Sequence, residues 1–477
     1  MGHCVTIEKL GFPTAAIVTV AFKDLARSNA ASRGMPYERI CFTPHPLADK
    51  TDEEMYKILE GNDPVTGIPI IREIINALTL PLTAEEQKTG KLSPSVGPAK
   101  FVDTPENLQK YYSGNVFTDF LPIVLPTEER VEAMLKGTSH PPDEVVGKMS
   151  AAAGAYPEWS FTVKQVAVNA VMAGADPEFL PVILAIASTG VTSLFSSTSS
   201  FSRMVVVNGP IRDEIKMNSG IGAMGPFNAA NATIGRAWTL VSRNLGGAGI
   251  AGQTYFGSQG STTNYNNICF PETEEKLPKG WQPLHVQKGF KPSESVVSVF
   301  SGWSLNDICW FSRLPMHVVI QRWLTQFFST QNGSATLLLD PIVADLVKDQ
   351  GFDTKEDFCE WLSKNSKSPA WLYWDMYPDK LKQGQNGVEP YASYLKQGDD
   401  FQLPESRFFR TPRPKNSTDS AQHNAAGYWN IWNGVDGLWG AAATSSVELV
   451  VLGGETNQYW AGGDFAYVTS ASVDKWR

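Results

Sequence analysis

The chain is poor in the features that usually announce a function. It has only five cysteines, Cys4, Cys41, Cys269, Cys309 and Cys359. They stand far apart, are odd in number and form no Cys-x-x-Cys, which argues against a disulfide framework or a zinc knuckle. They read as buried free thiols in a reducing compartment. Histidine is as scarce, with six residues and none at His-x-His or His-x-x-x-His spacing, so nothing local signals a metal site, and only one assembled from distant residues stays open. Positive charge is in deficit, 40 Lys and Arg against 49 Asp and Glu. Without basic clusters the chain is a poor binder of phosphate backbones, and nucleic acid is set aside as a partner. Long apolar runs are also missing. The stretch from Phe179 to Ala187 is far too short to span a bilayer. No basic segment followed by an apolar run and a cleavage site opens the chain, so no signal peptide is expected. These absences together point to a cytoplasmic protein with neither a membrane nor a nucleic-acid partner.

What is present is an ordinary globular composition, 42% hydrophobic and 19% charged over 477 residues, enough for roughly two to four domains. The stretch 5–12 reads as the end of a helix stopped by Gly11. Thr14 to Val20 reads as a buried strand, Phe22 to Arg33 as a helix and Ile40 to Thr43 as a second strand, which is the spacing of parallel βαβ units. The expected fold class is α/β, with a partial flavodoxin-like parallel-sheet domain over 1–85 followed by a larger α/β domain. A polar linker with short helices is expected over 86–144 and the main domain over 145–364. An irregular aromatic excursion fills 365–440, and a last strand, Val447 to Leu452, returns to the main domain within 441–477.

The informative segment is 205–237, VVVNGPIRDEIKMNSGIGAMGPFNAANATIGRA. An apolar strand stops at Asn208-Gly209-Pro210, and strand C-terminal ends are where open α/β sheets bind ligands. The permissive run Asn218-Ser219-Gly220-Ile221-Gly222 lets backbone approach a ligand closely. Asn228, Asn231 and Thr233 then stand at a helix N-terminus, which suits an anion or a developing oxyanion. The alternative is a Gly-rich turn in which the Asn residues serve as caps. On the first reading Arg212, Arg236 and the helix N-terminus hold an anionic small molecule, with Asn208, Gly220 and Gly222 in the binding wall. Asn218 and Ser219 orient the reacting centre, and His285 shuttles a proton. The glycine spacing matches no nucleotide motif, so the cofactor stays unknown. Three other loops are candidates for the same mouth: Ser196 to Ser200, Asp340 (most simply a helix N-cap) and the Gly453-Gly454 turn. Glu272, Glu274 and Glu275 read as a solvated charge run.

The first 80 residues resemble a known family. Glu8-Lys9-Leu10-Gly11-Phe12-Pro13, then Thr19, Phe22 and Leu25-Ala26-Arg27, then Pro44-His45-Pro46-Leu47, are similar to the later part of the UGSC-type (seleno)protein domain. That family is distantly similar to the selenoprotein B subunits of glycine and proline reductases. The resemblance implies reductive chemistry through a selenolate or thiolate in a U/C-x-x-C motif just before this helix. Cys4 falls inside the helix and not on the motif, so the catalytic role is not carried to it. Residues 145–300 resemble the larger domain often found beside UGSC domains. The leading expectation is a lyase that cleaves a carbon–heteroatom bond of a small anionic metabolite. The rivals are a thiol-assisted reductase working with a small Cys- or Sec-bearing subunit, and a non-catalytic substrate-binding subunit. A homo-oligomer or such a hetero-partner is expected.

Overall fold

The computed structural model describes residues 2–47, 50–90, 101–149, 159–195, 201–252, 254–265, 268–309, 313–326, 334–406, 409–410, 444–445 and 447–477. At the N-terminus a helix, Gly2–Glu8, precedes two parallel strands, Ala16–Thr19 (β1) and Ile40–Thr43 (β2), paired from Ala16↔Ile40 to Thr19↔Thr43. The helix Lys23–Ser32 makes the crossover between them. The first helix ends earlier than the sequence pattern suggests, because Gly11 at φ 87° closes a turn that already begins at Lys9. The core of this unit is small, built from Ala16, Ala26, Ile40 and Phe42. Buried Asp63 accepts from the Phe42 N–H at 2.6 Å, so a side chain satisfies a strand donor that a neighbouring strand would otherwise take.

Short helices, expected in the linker over 86–144, stand there, and the stretch expected to be an irregular aromatic excursion also holds regular structure. Thr104 caps the helix Pro105–Gly114 within the polar stretch after residue 86, with proline at its start. In the aromatic stretch, Pro369, Pro378 and Pro390 start the short helices Ala370–Met376, Pro378–Gln385 and Tyr391–Leu395. Proline suits a first helical turn, where its missing N–H costs nothing. The aromatic residues from Phe408 to Trp439 lie outside the described residues except Phe409.

The main body is a four-layer sandwich of two mixed sheets. The strands in chain order are Val145–Met149 (β3), Trp159–Thr162 (β4), Ser202–Asn208 (β5), Ile268–Pro271 (β6), Val296–Gly302 (β7), Leu305–Cys309 (β8) and Ala335–Leu339 (β9). There follow Lys367–Pro369 (β10), Gln402–Ser406 (β11), Phe409–Arg410 (β12), Thr444–Ser445 (β13), Val447–Val451 (β14), Tyr459–Gly463 (β15) and Ala466–Ser472 (β16). One sheet has the order β16-β7-β5-β6 and the other β14-β9-β15-β8. Each contains one parallel pair, β5 with β6 and β9 with β14. Two strands thus follow the one expected to be last. Their sequences, YWAGG and AYVTSAS, are too rich in small residues to show as apolar runs.

Side-chain alternation decides the layers, because successive residues of a strand face opposite sides. In β5, Val205 and Val207 join the helices Val163–Ala173, Leu180–Ser188 and Ala229–Asn244 in one outer core. Met204 and Val206 face the other way and meet Leu338, Val450 and Ala461 of the second sheet. That sheet's far face, with Leu337, Leu339, Leu449 and Val451, is covered by the helices Met316–Gln326, Pro341–Asp349 and Lys355–Asn365. Helix, sheet, sheet and helix therefore stack in that order. Among the described residues no helix is long and apolar enough to cross a membrane.

Candidate functional site

Both parallel pairs end at the same edge of the sandwich, and the two ends are built differently. At the end of β5 and β6 most of the polar groups satisfy one another, with Asn208 Oδ1 and the His285 ring nitrogens left over. Asn208 donates through Nδ2 to Glu272 Oε2 at 2.8 Å and to Glu274 Oε1 at 2.9 Å, and the Gly209 N–H donates to Glu274 Oε1 at 2.8 Å. Arg212 is buried. It donates to the Gly209 and Glu272 carbonyls at 3.0 and 2.7 Å and pairs with Glu275 at 2.6 Å. Burial opposes its charge, but Glu275 and Glu274 outweigh that and raise its pKa. Glu272 is fully buried, ion-paired with the equally buried Lys355, and also accepts from Asn208, Leu284 N and Val451 N. The glutamate run is therefore not a solvated face: Glu272 is the hub of a closed polar network. Its position straight after the apolar strand ICFP was the signal available in the sequence. His285 is fully buried in the helix Leu284–Gln287, with Nδ1 3.9 Å from Glu274 Oε1 and neither ring nitrogen hydrogen-bonded.

The Asn/Gly loop spans from this closed end to the second sheet. Asn231, in the first turn of helix Ala229–Asn244, holds it. Asn231 accepts from Asn218 N at 3.1 Å and donates to the carbonyls of Asn218 and Ala223 at 2.8 and 2.9 Å. Asn218 folds its own side chain back onto Gly220 N and Ile221 O. The Ser219 carbonyl accepts from Gly453 N at 3.0 Å and Thr273 Oγ1 at 2.9 Å. Asn228 caps the helix by accepting from Asn231 N, and Thr233 bonds back to the Ala229 carbonyl. Arg236 is clamped by Asp119 at 2.9 and 3.1 Å and by the Pro122 carbonyl at 2.7 Å. The residues expected to bind an anion are thus engaged within the protein. Asn208 and Arg212 close one strand end, Asn218, Asn228, Asn231 and Thr233 shape a loop and its helix, and Arg236 ties that helix to Asp119, whereas His285 is buried beside the closed end without a hydrogen bond. The hydroxyl-rich Ser196 to Ser200 lies outside the described residues.

The second strand end is open. A cleft of about 310 Å³ lies there, roofed by loop 220–225 and lined by Asp307, Asp340 and the Gly453-Gly454 turn. Three segments distant in sequence converge on it because β9 and β14 run in parallel and finish together. The turn and the loop meet without room for a side chain, since a Cβ on Gly454 would stand 2.2 Å from Ile221 Cγ1. Likewise a Cβ on Gly453, at φ 146°, would stand 2.3 Å from Asp340 Oδ2. One cross-strand row, Val450↔Leu338↔Ala461↔Asp307, runs through the sheet there, and its last three members line the cleft. Directly paired residues share a face of the sheet, so this row brings Asp307 to the cleft from the edge strand β8. Asp340 caps the helix Pro341–Asp349 through Ile342 N at 3.0 Å and accepts from Glu455 N at 3.0 Å. Its burial raises its carboxyl pKa, those two N–H groups lower it, and the Glu455 charge raises it further, for a net rise. Asp307 is exposed. Sequence reasoning missed Asp307 altogether, because one acidic residue in a short edge strand carries no pattern.

Among the described residues no thiol lines the cleft. Burial, with Asp63 and Glu73 nearby, pushes the Cys41 pKa up to about 11, and burial alone pushes Cys269 up to about 12. Burial also raises that of Cys359. A raised pKa keeps a thiol from acting as a thiolate nucleophile.

Residues 1–61 match the UGSC family. A UGSC-type domain therefore stands at the N-terminus, over the two parallel strands and their crossover helix. The match stops well before the cleft. No curated protein and no solved structure matches the chain.

Proposed function

We propose that the chain is an enzyme that acts on a small polar metabolite in the cleft at the ends of β9 and β14. Its chemistry is an elimination across a carbon–heteroatom bond, which makes it a lyase. One observation carries the reading: two carboxylates in unlike environments, exposed Asp307 and capped, buried Asp340, face a single cleft. Unlike environments set two carboxyl groups to opposite proton roles. Their strands lie two apart in the sheet, a backbone separation of roughly 10 Å that leaves room for a small molecule between them. Asp307 takes a proton from carbon. The C–H electron pair forms the double bond as the carbon–heteroatom bond breaks, and the departing heteroatom receives the proton held by Asp340. Burial raises the Asp340 carboxyl pKa, which favours its protonated form relative to an ordinary aspartate.

The reductase reading draws on the family's resemblance to selenoprotein B subunits and calls for a thiolate from a partner, because Cys41, Cys269 and Cys359 are buried with raised pKa values and Cys4 lies inside the helix Gly2–Glu8, off the motif. A cytoplasmic setting and assembly with further copies or a small thiol-bearing subunit belong to the same proposal. Exposed Ile71, Ile75 and Leu78 on the helix Ile70–Thr79 support assembly, since their spacing puts them on one apolar stripe. The test of the elimination is turnover. The full chain, incubated with pools of small metabolites, is followed by mass spectrometry for products that have lost water, ammonia or a thiol. Asp340→Asn is expected to cut any such turnover by about 100-fold or more. Turnover that survives this change in a folded variant would sink the proposal.

A further inference from the structure

The cleft's charge names its ligand class, on the reading that the cleft is the substrate site. Its lining includes Asp307 and Asp340 and, among the described residues, no Lys, Arg or His. The cations of the surrounding elements are ion-paired, Arg212 with Glu274 and Glu275, Arg236 with Asp119, and Lys276 with Glu455, and of these Lys276 alone is near enough for its charge to act on Asp340. Glu455, beside the Gly453-Gly454 turn, is ion-paired with Lys276, and its N–H serves Asp340. The floor is apolar, with Leu338 and Ala461, so charge there is less screened than on open surface. A carboxylate or phosphate entering the cleft would meet acidic side chains and find no side-chain cation on the lining. Among the described residues no group of three or more His, Cys, Asp or Glu gathers as metal ligands would. We propose that the cleft selects a small metabolite through an ammonium or guanidinium group, held between Asp307 and Asp340, and that it discriminates against anions.

The experiment is calorimetric titration of the full chain with putrescine, butanediol and succinate at constant ionic strength and neutral pH. These three probes share a four-carbon skeleton and differ in charge. Putrescine is expected to bind saturably and at least about 10-fold more tightly than the other two. Asp307→Asn should weaken it roughly fivefold, the size of a solvent-accessible ion pair. Thr456→Trp, which fills the cleft from an exposed position on its wall, should abolish it. Both variants are checked for folding by circular dichroism. Succinate binding more tightly than putrescine, and lost in Thr456→Trp, overturns the cationic class and keeps the cleft as the site. Putrescine binding that both variants leave unchanged overturns the site itself. Failure of putrescine to bind overturns the inference alone, because the turnover assay judges the enzymatic reading separately.

Discussion

The two strand ends share their topology and differ in their filling. At β5 and β6 the chain spends Asn208, Arg212, Glu272, Glu274 and Lys355 on one another. At β9 and β14 glycine turns hold the backbone close but leave a cavity, and the carboxylates beside it lack a cationic partner on the cleft wall. The comparison teaches that a dense set of catalytic-looking residues can be a structural plug. Groups able to bind a substrate are also able to bind each other, and in a buried position they must do so. A candidate opening is better marked by what does not pair locally.

Three changes would break or sharpen this comparison. The largest effect is expected at the closed end. Lys355→Met strands a fully buried Glu272 carboxylate, and urea denaturation should show a loss of about 3–5 kcal/mol. Most of that loss should return in the double variant Lys355→Met/Glu272→Gln, which removes the orphaned charge. Equal losses in the single and double variants would mean that Glu272 is not the hub. At the open end Gly453→Ala forces a Cβ onto Asp340 in a backbone conformation that L residues rarely adopt. The expected cost is about 1–3 kcal/mol, read as a lower thermal midpoint, together with lost putrescine binding.

The smallest effect is a pair of opposite pH slopes. Burial pushes the Glu275 carboxyl up, but the Arg212 hydrogen bond and charge outweigh it and hold its pKa below the ordinary value. Its contribution to stability is therefore present above the unfolded pKa and lost as pH falls through the folded one. Asp340 is shifted the other way, so its contribution is present at low pH and lost as pH rises through the raised value. Thermal midpoints should show Glu275→Gln costing more at neutral pH than near pH 4, and Asp340→Asn costing more near pH 4 than at neutrality. Each difference should stay under about 1 kcal/mol because both groups border solvent. Parallel slopes would erase the distinction between the two ends.

Several parts of the site were legible in advance. The loop 218–225 stood out through its glycines, and Asp340 and the Gly453-Gly454 turn each follow an apolar strand that is plain in the sequence. Asp340 was readable as a cap, and it is one. The residues that looked most chemical were misjudged because hydrogen-bonding capacity is local, whereas partnership is not. Asp119 lies 117 residues from Arg236, and Lys355 lies 83 from Glu272. No window of sequence relates them.

The sequence by itself determined the local events: strands from apolar runs, helix starts from Thr104, Thr162, Asn228 and Asp340, and turns at glycines with positive φ. These depend on residues within a few positions of one another. The tertiary structure alone decided that two sheets pack face to face, that β15 and β16 complete them, and that Arg212 and Arg236 are satisfied internally. It also decided that Asp307 and Asp340 share a cleft. Those outcomes rest on burial and on charge pairing between distant segments, and both are fixed only when the layers close.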